Sequence, residues 1–118
     1  MTISYFNAHC HLELSFAAGK IPPATDFCQW ILDVINLRKE TPEEEIIKAA
    51  KKSLKKMHDL GVAYLWDIDS MNLMSQVYPT TSTKIKVFQE LIALDPEDAL
   101  DRLNEHNGER LEDFKYGL

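Results

Sequence analysis

The chain has 118 residues, of which 45% are hydrophobic and 27% charged, with only four glycines and five prolines. That is enough for one domain and too apolar for a disordered chain, so a folded core is expected. The net charge is −6, and Lys48, Lys51, Lys52, Lys55 and Lys56 are embedded in an acid-rich helix; no separate basic surface for phosphate backbones stands out, which argues against nucleic acid as a partner.

The first residues, Met1 to Phe6, carry no positive charge and lead into no apolar stretch of signal-peptide length, and no run approaches the roughly 20 residues of a membrane span. A cytoplasmic protein without membrane contact is expected. Cys10 and Cys28 form no C-x-x-C pair, and in a reducing compartment each is expected as a small buried apolar residue rather than half of a disulfide.

Ile3 to Ala8 is short, β-branched and aromatic, and the polar cluster His9 to Glu13 follows it; the pattern predicts a first strand that delivers side chains at its C-terminal end. Gly19 to Pro23 then breaks the chain. Thr25 or Asp26 can cap a helix in which Phe27, Trp30, Ile31, Val34, Ile35 and Arg38 recur at helical spacing, ending near Lys39. Thr41-Pro42-Glu43-Glu44 combines a capping box with proline at the first helical position, and Ile46, Ile47, Ala50, Leu54, Met57 and Leu60 form an apolar stripe up to Gly61.

Val62 to Asp67 is an apolar run ending in an acid, as a buried parallel strand requires. Ser70 is placed to cap a short helix through Val77. Lys84 to Leu94 is the third predicted strand, Asp95-Pro96 opens a helix carrying Ala99, Leu100 and Leu103, and Phe114 to Leu118 begins to look like another strand. The order β-α-α-β-α-β-α predicts an α/β fold with right-handed crossovers and a parallel sheet covered by helices.

Alternate side chains of a strand share a face, so His9 and His11 project together while Cys10 points towards the covering helices. Neutral imidazole is a common ligand of zinc and similar ions, and a catalytic site needs about three protein ligands with a position left open for water. Two histidines supply part of such a set.

Asn7-Ala8-His9-Cys10-His11-Leu12-Glu13-Leu14-Ser15 resembles the end of the first barrel strand of the amidohydrolase superfamily. The resemblance continues through Phe27 and Trp30, from Gly61 to Asp67-Ile68, and through Val87-Phe88-Gln89-Glu90-Leu91-Ile92-Ala93-Leu94-Asp95-Pro96. It is nearest to the branch that deaminates adenosine-like compounds, including aminofutalosine and S-adenosylhomocysteine deaminases. The resemblance implies a hydrolase of C–N bonds on a ring amine, and an incomplete (β/α)8 barrel of which this chain supplies the first three parallel strands with their helices.

It also implies that His9 and His11 match the first two ligands of a divalent metal, zinc or alternatively iron, which makes hydroxide available near neutral pH. Two further histidines, a proton-shuttling glutamate and a metal-binding aspartate of the family fall on later strands, and a small flanking β domain of many relatives is absent. His58 and His106 precede Gly61 and Gly108, at helix ends on the opposite barrel face, and are expected as C-terminal helix histidines favoured by the helix dipole.

Glu13 either orients a ligand or touches substrate, or steadies the loop after the strand. Asp67 and Glu90, at strand ends, either face substrate or cap loops. Trp30 and Arg38 match a region that lines the substrate pocket, or form a packed helix face with a solvated tip. Two functional readings stay open: part of a metal-dependent deaminase that is inactive until the barrel is completed, and a non-catalytic α/β fragment. Either way, raw sheet edges and an uncovered inner face predict self-association or assembly with another chain.

Overall fold

In the computed structural model, residues 3–23, 26–92 and 95–110 are described. The strand expected over 114–118, the cap at Thr25 and the end of the third strand at Ala93 and Leu94 lie outside them. The elements are β1 (Tyr5–Cys10), α1 (Phe27–Glu40), α2 (Glu43–Asp59), β2 (Val62–Asp69), β3 (Lys84–Gln89) and α3 (Pro96–Arg110). A 3₁₀ helix, Leu12–Ala17, follows β1, and two short 3₁₀ turns, Met74–Gln76 and Tyr78–Thr80, join β2 to β3. The strands form one parallel sheet in the order β1-β2-β3. No helix among the described residues is long and apolar enough to cross a membrane.

The best-patterned helix holds this sheet. Ile46, Ala50 and Leu54 recur at every fourth position of α2 and are buried against Leu12 and Phe16 of the 3₁₀ helix and Leu65 of β2, with Met74 and Val77 closing the cluster. Each large aliphatic side chain buried in this way contributes about 1.5–3 kcal/mol. Glu43, Glu44 and Glu45 lie in the first turn of α2, and Lys56 and His58 in its last, which complements the helix dipole at both ends.

Gly61 then takes φ 93°, a left-handed conformation open to glycine at low cost. Its carbonyl accepts from the Tyr5 N–H at 2.8 Å, so the turn that ends α2 also starts the pairing of β1 with β2. Along β2 the burial alternates: Leu65, Asp67 and Asp69 are buried, while Tyr64 and Trp66 are exposed.

Several expectations need correction. Pro42 is the N-cap of α2 rather than its first helical residue, and no side chain caps the helix. The Thr41 hydroxyl, expected in a capping box, instead donates to the Leu37 carbonyl at 2.7 Å; with Pro42 at the N-cap, Thr41 stands one position too early for its oxygen to accept from the first turn of α2. β1 runs to Cys10 and β2 to Asp69, past the predicted ends, whereas β3 ends at Gln89, short of the expected Leu94. The segment after β2 forms 3₁₀ turns rather than a helix capped by Ser70. The Asp69 carboxylate takes the N–H groups of Met71 and Asn72 at 3.0 and 2.9 Å, and Pro79 lacks the N–H that a continuous helix requires.

The cover is also thinner than helices on both faces. α1 has no buried residue, and Phe27, Ile31, Leu32 and Ile35 on it are exposed. The sheet face opposite the core carries Phe6, Tyr64, Trp66 and Phe88 in successive edge-to-face contacts, with ring centroids 5.1 to 6.5 Å apart. Lys86 stands over the Trp66 and Phe88 rings at 5.5 and 5.0 Å. Parallel sheets are ordinarily buried on both faces, so this row is an apolar surface left open among the described residues.

Candidate metal centre

Parallel strands bring their C-terminal ends to one edge, where α/β folds place their sites. His11 follows β1, Ser70 follows β2 and Glu90 follows β3. The Glu90 N–H continues the ladder, donating to the Asp69 carbonyl at 3.0 Å.

The end of β1 is irregular. Asn7 pairs with Leu65 and Cys10 with Asp67, so β1 spends one residue more than β2 across Ala8 and His9. Such a bulge re-aims the side chains beside it. The Asn7 Oδ1 receives the His9 N–H at 3.2 Å, filling a backbone donor that the ladder leaves free. Cys10 packs against the core, and burial first, then the Asp67 charge, push its thiol up to about 11. In the metal-free chain it therefore stays a protonated thiol at neutral pH.

His9 and His11 flank Cys10, and their rings meet edge to face at 5.2 Å between centroids. His9 is exposed and His11 half-buried. Ligand-capable atoms of His11, Glu13 and Glu90 lie within 4.8 Å of one another. This set differs from the expected one: His11 converges with two carboxylates, while His9 stands beside the set rather than in it.

Glu13 is almost fully buried. Its Oε1 accepts from the Ser70 hydroxyl at 2.7 Å, and its Oε2 from the Ser70 and Met71 N–H groups at 2.7 and 3.0 Å. Oε1 also lies 3.8 Å from His11 Nδ1. Glu13 thus ties the loop after β2 to the loop after β1, and it approaches the imidazole at a distance longer than a hydrogen bond. Burial, followed by the neighbouring Asp69 carboxylate, raises its pKa against the opposing Ser70 hydrogen bonds.

Asp67, expected at the substrate, is completely buried. Its Oδ1 accepts the Leu12 N–H at 2.9 Å and its Oδ2 the Tyr78 hydroxyl at 2.8 Å. It lies beneath the site and fixes the backbone that follows His11. Desolvation raises its pKa, with the Leu12 and Tyr78 hydrogen bonds opposing; burial and then the Asp67 charge keep the Tyr78 phenol protonated.

Glu13, Asp67 and Asp69 therefore gather three buried carboxylates at one edge of the sheet, and among the described residues the one basic group within 4 Å of Glu13 is His11. Such an accumulation favours a cation. Imidazole with carboxylate oxygen is a donor set that suits zinc and divalent iron.

Trp30 stacks on Phe27 at 5.8 Å, and the Arg38 Nε–H donates to the Met71 Sδ at 2.9 Å. His58 is at the other edge of the sheet, where its Nδ1 lies 3.1 Å from the Thr83 hydroxyl that donates to the Val62 carbonyl. Sequence reasoning missed Asp69, Ser70 and Tyr78. The alternation Asp67-x-Asp69 at a strand end was a usable signal for the first of these; Ser70 and Tyr78 are recruited by distant carboxylates and leave no local pattern.

Compared with family models, with curated proteins and with solved structures, the chain finds no match in any of the three.

Proposed function

We propose that this chain is the N-terminal part of a metal-dependent amidohydrolase barrel, of the branch that removes amino groups from adenosine-like rings, and that it works in the cytoplasm. The observation that carries the reading is the convergence of His11, Glu13 and Glu90 at the C-terminal edge of a parallel sheet, with His9 in ring contact with His11. A divalent ion, zinc or iron, would be held by His11 with Glu90 as the oxygen donor and by His9 turned in from its place beside them. Such an ion would supply a water acidic enough to yield hydroxide near neutrality.

The residues of this chain do the rest of the holding. Glu13 clasps the loop after β2 and sets its carboxylate beside the His11 ring. Asp67 fixes the Leu12 amide next to the ligand. Trp30 and Arg38 line the approach of a small-molecule substrate. The described sheet has three strands, whereas a closed barrel of this kind has eight; turnover therefore requires the remaining strands, from the same polypeptide or another, and the isolated chain is expected to be inactive on aminated purine nucleosides.

Metal content tests the reading. After equilibrium dialysis against zinc, the purified chain should retain about one ion, and the His9→Ala, His11→Ala double variant should retain none. Equal metal in both would refute the clamp.

The uncovered aromatic row supports a second reading for the isolated chain, a non-catalytic α/β fragment that associates through its open sheet. Zinc retention that depends on the two histidines separates the first reading from this one.

A further inference from the structure

The lysines of α2 fall on one side of it. Lys51, Lys52, Lys55 and Lys56 recur three, four, seven and eight residues after Lys48, spacings that share a helix face, and all five are exposed. The acids that precede them, Glu43, Glu44 and Glu45, are confined to the first turn. Lys55 is paired with Asp59 at 2.6 Å; among the described residues no carboxylate comes within 4 Å of Lys48, Lys51, Lys52 or Lys56. A chain of net charge −6 thus carries a basic stripe about 12 Å long from Lys48 to Lys56.

The complement of that stripe is in the same chain. Glu97, Asp98 and Asp101 of α3 are exposed, and Asp101 follows the other two by four and three residues, so they too share a face. Among the described residues none of the three has a basic group within 4 Å, so these charges are not matched within one molecule. The lysines occupy the C-terminal part of α2 and the acids the N-terminal part of α3. Two such helices laid antiparallel match in charge along the contact, and their dipoles oppose favourably as well.

We propose that the lysine face of α2 docks the acidic face of α3 of a second copy of this chain. Each copy has both faces, so the contact occurs twice about a twofold axis, each copy giving α2 to the other and α3 in return. This interface is separate from the aromatic row of the sheet and from the candidate metal centre. It is polar and weakens in salt, whereas association through apolar rings does not.

Sedimentation equilibrium of the full chain at low salt and in about 0.5 M sodium chloride reads the association. The wild type should dimerise at low salt, with a dissociation constant at least about tenfold higher in the concentrated salt. Lys51→Glu, Lys52→Glu on α2 and Asp98→Lys, Asp101→Lys on α3 each set like charges in both contacts, and each double variant alone should associate at least about tenfold more weakly than the wild type. Mixed in equal amounts, the two variants restore opposite charges in both contacts and should pair with each other as the wild type does. Far-UV circular dichroism checks the helices; should Asp98→Lys, Asp101→Lys unwind α3, the amides Asp98→Asn, Asp101→Asn replace it and should alone weaken association at least about threefold. A wild type monomeric at low salt, an association indifferent to salt and to both reversals, or a mixture no tighter than its components would overturn the proposal. A monomeric wild type that is retained on immobilised polyglutamate would assign the stripe to an acidic partner of another kind and overturn the second copy.

Discussion

Glu13 and Ser70 are bound to each other twice: the Ser70 hydroxyl and the Ser70 N–H each donate to the Glu13 carboxylate, both at 2.7 Å. The two residues are 57 positions apart, so the clasp fixes the loop after β2 against the loop after β1, beside the imidazole of His11. The shape of the candidate centre depends on it.

Removing that carboxylate strands the half-buried Ser70 N–H and hydroxyl and leaves the Met71 N–H with Asp69 alone. Glu13→Ala is expected to destabilise the chain by roughly 2–3 kcal/mol, the cost of unsatisfied buried groups, while Ser70→Ala, which leaves the N–H bond in place, is expected to cost about 1 kcal/mol. Urea denaturation monitored by tryptophan fluorescence measures both; equal midpoints for Glu13→Ala and the wild type would contradict the clasp.

The buried acids predict an unusual pH dependence in the metal-free chain. Desolvation raises the Asp67 and Glu13 pKa values above their usual 3.8 and 4.5, so between the unfolded and folded values the native state binds more protons than the unfolded one. By linkage these two groups weaken stability as pH rises through that window and cost nothing below it. Asp67→Asn can keep both hydrogen bonds, accepting from Leu12 and donating to Tyr78, without the charge. The stability of the wild type relative to Asp67→Asn should therefore fall as pH is raised from about 4 to 7, read from urea midpoints; a difference that grows in the wild type's favour would show the sign to be wrong.

Leu54 is fully buried between α2, the 3₁₀ helix and the sheet. Leu54→Ala is expected to lose about 2–5 kcal/mol through lost transfer energy and the cavity left behind, whereas Leu60→Ala, at a site 64% exposed, should change the urea midpoint little.

Trp66 sits at the centre of the open aromatic row, touching both Phe6 and Phe88. Trp66→Glu puts a charge where an associating surface would be dehydrated. Light scattering behind size exclusion is expected to show a mass above the monomer for the wild type and a shift towards the monomer for the variant. A monomeric wild type would remove self-association from the account.

Much of the fold was legible because its signals are local and strong. The stripe Ile46, Ala50, Leu54 fixed α2, Gly61 fixed its end, and the apolar run from Val62 fixed β2. What failed was decided elsewhere in the chain. The segment after Ser70 reads as a helix by local pattern, yet Asp69 and Glu13 capture its N–H groups and fold it into tight turns. The capping box at Thr41 failed because α2 begins one residue later, with Pro42 at its N-cap, and the Thr41 side chain serves the end of α1.

The site was legible only in part for the same reason. His9 and His11 announce themselves by their spacing in the sequence, although β1 ends at Cys10 and His11 follows it. The meeting of His11 with Glu90 is set by parallel pairing of three strands, and no window of sequence contains it. Asp67 could be placed at a strand end from its position, but whether it faced solvent or the core followed from the alternation of Leu65, Asp67 and Asp69 inward against Tyr64 and Trp66 outward.

X-ray absorption of the zinc-loaded chain tests the central claim most directly. The account predicts a shell with imidazole nitrogen at about 2.0–2.1 Å and carboxylate oxygen at about 2.0–2.2 Å, the imidazole contribution disappearing in the His9→Ala, His11→Ala variant. A shell of oxygen alone, or one unchanged by that double substitution, would contradict it.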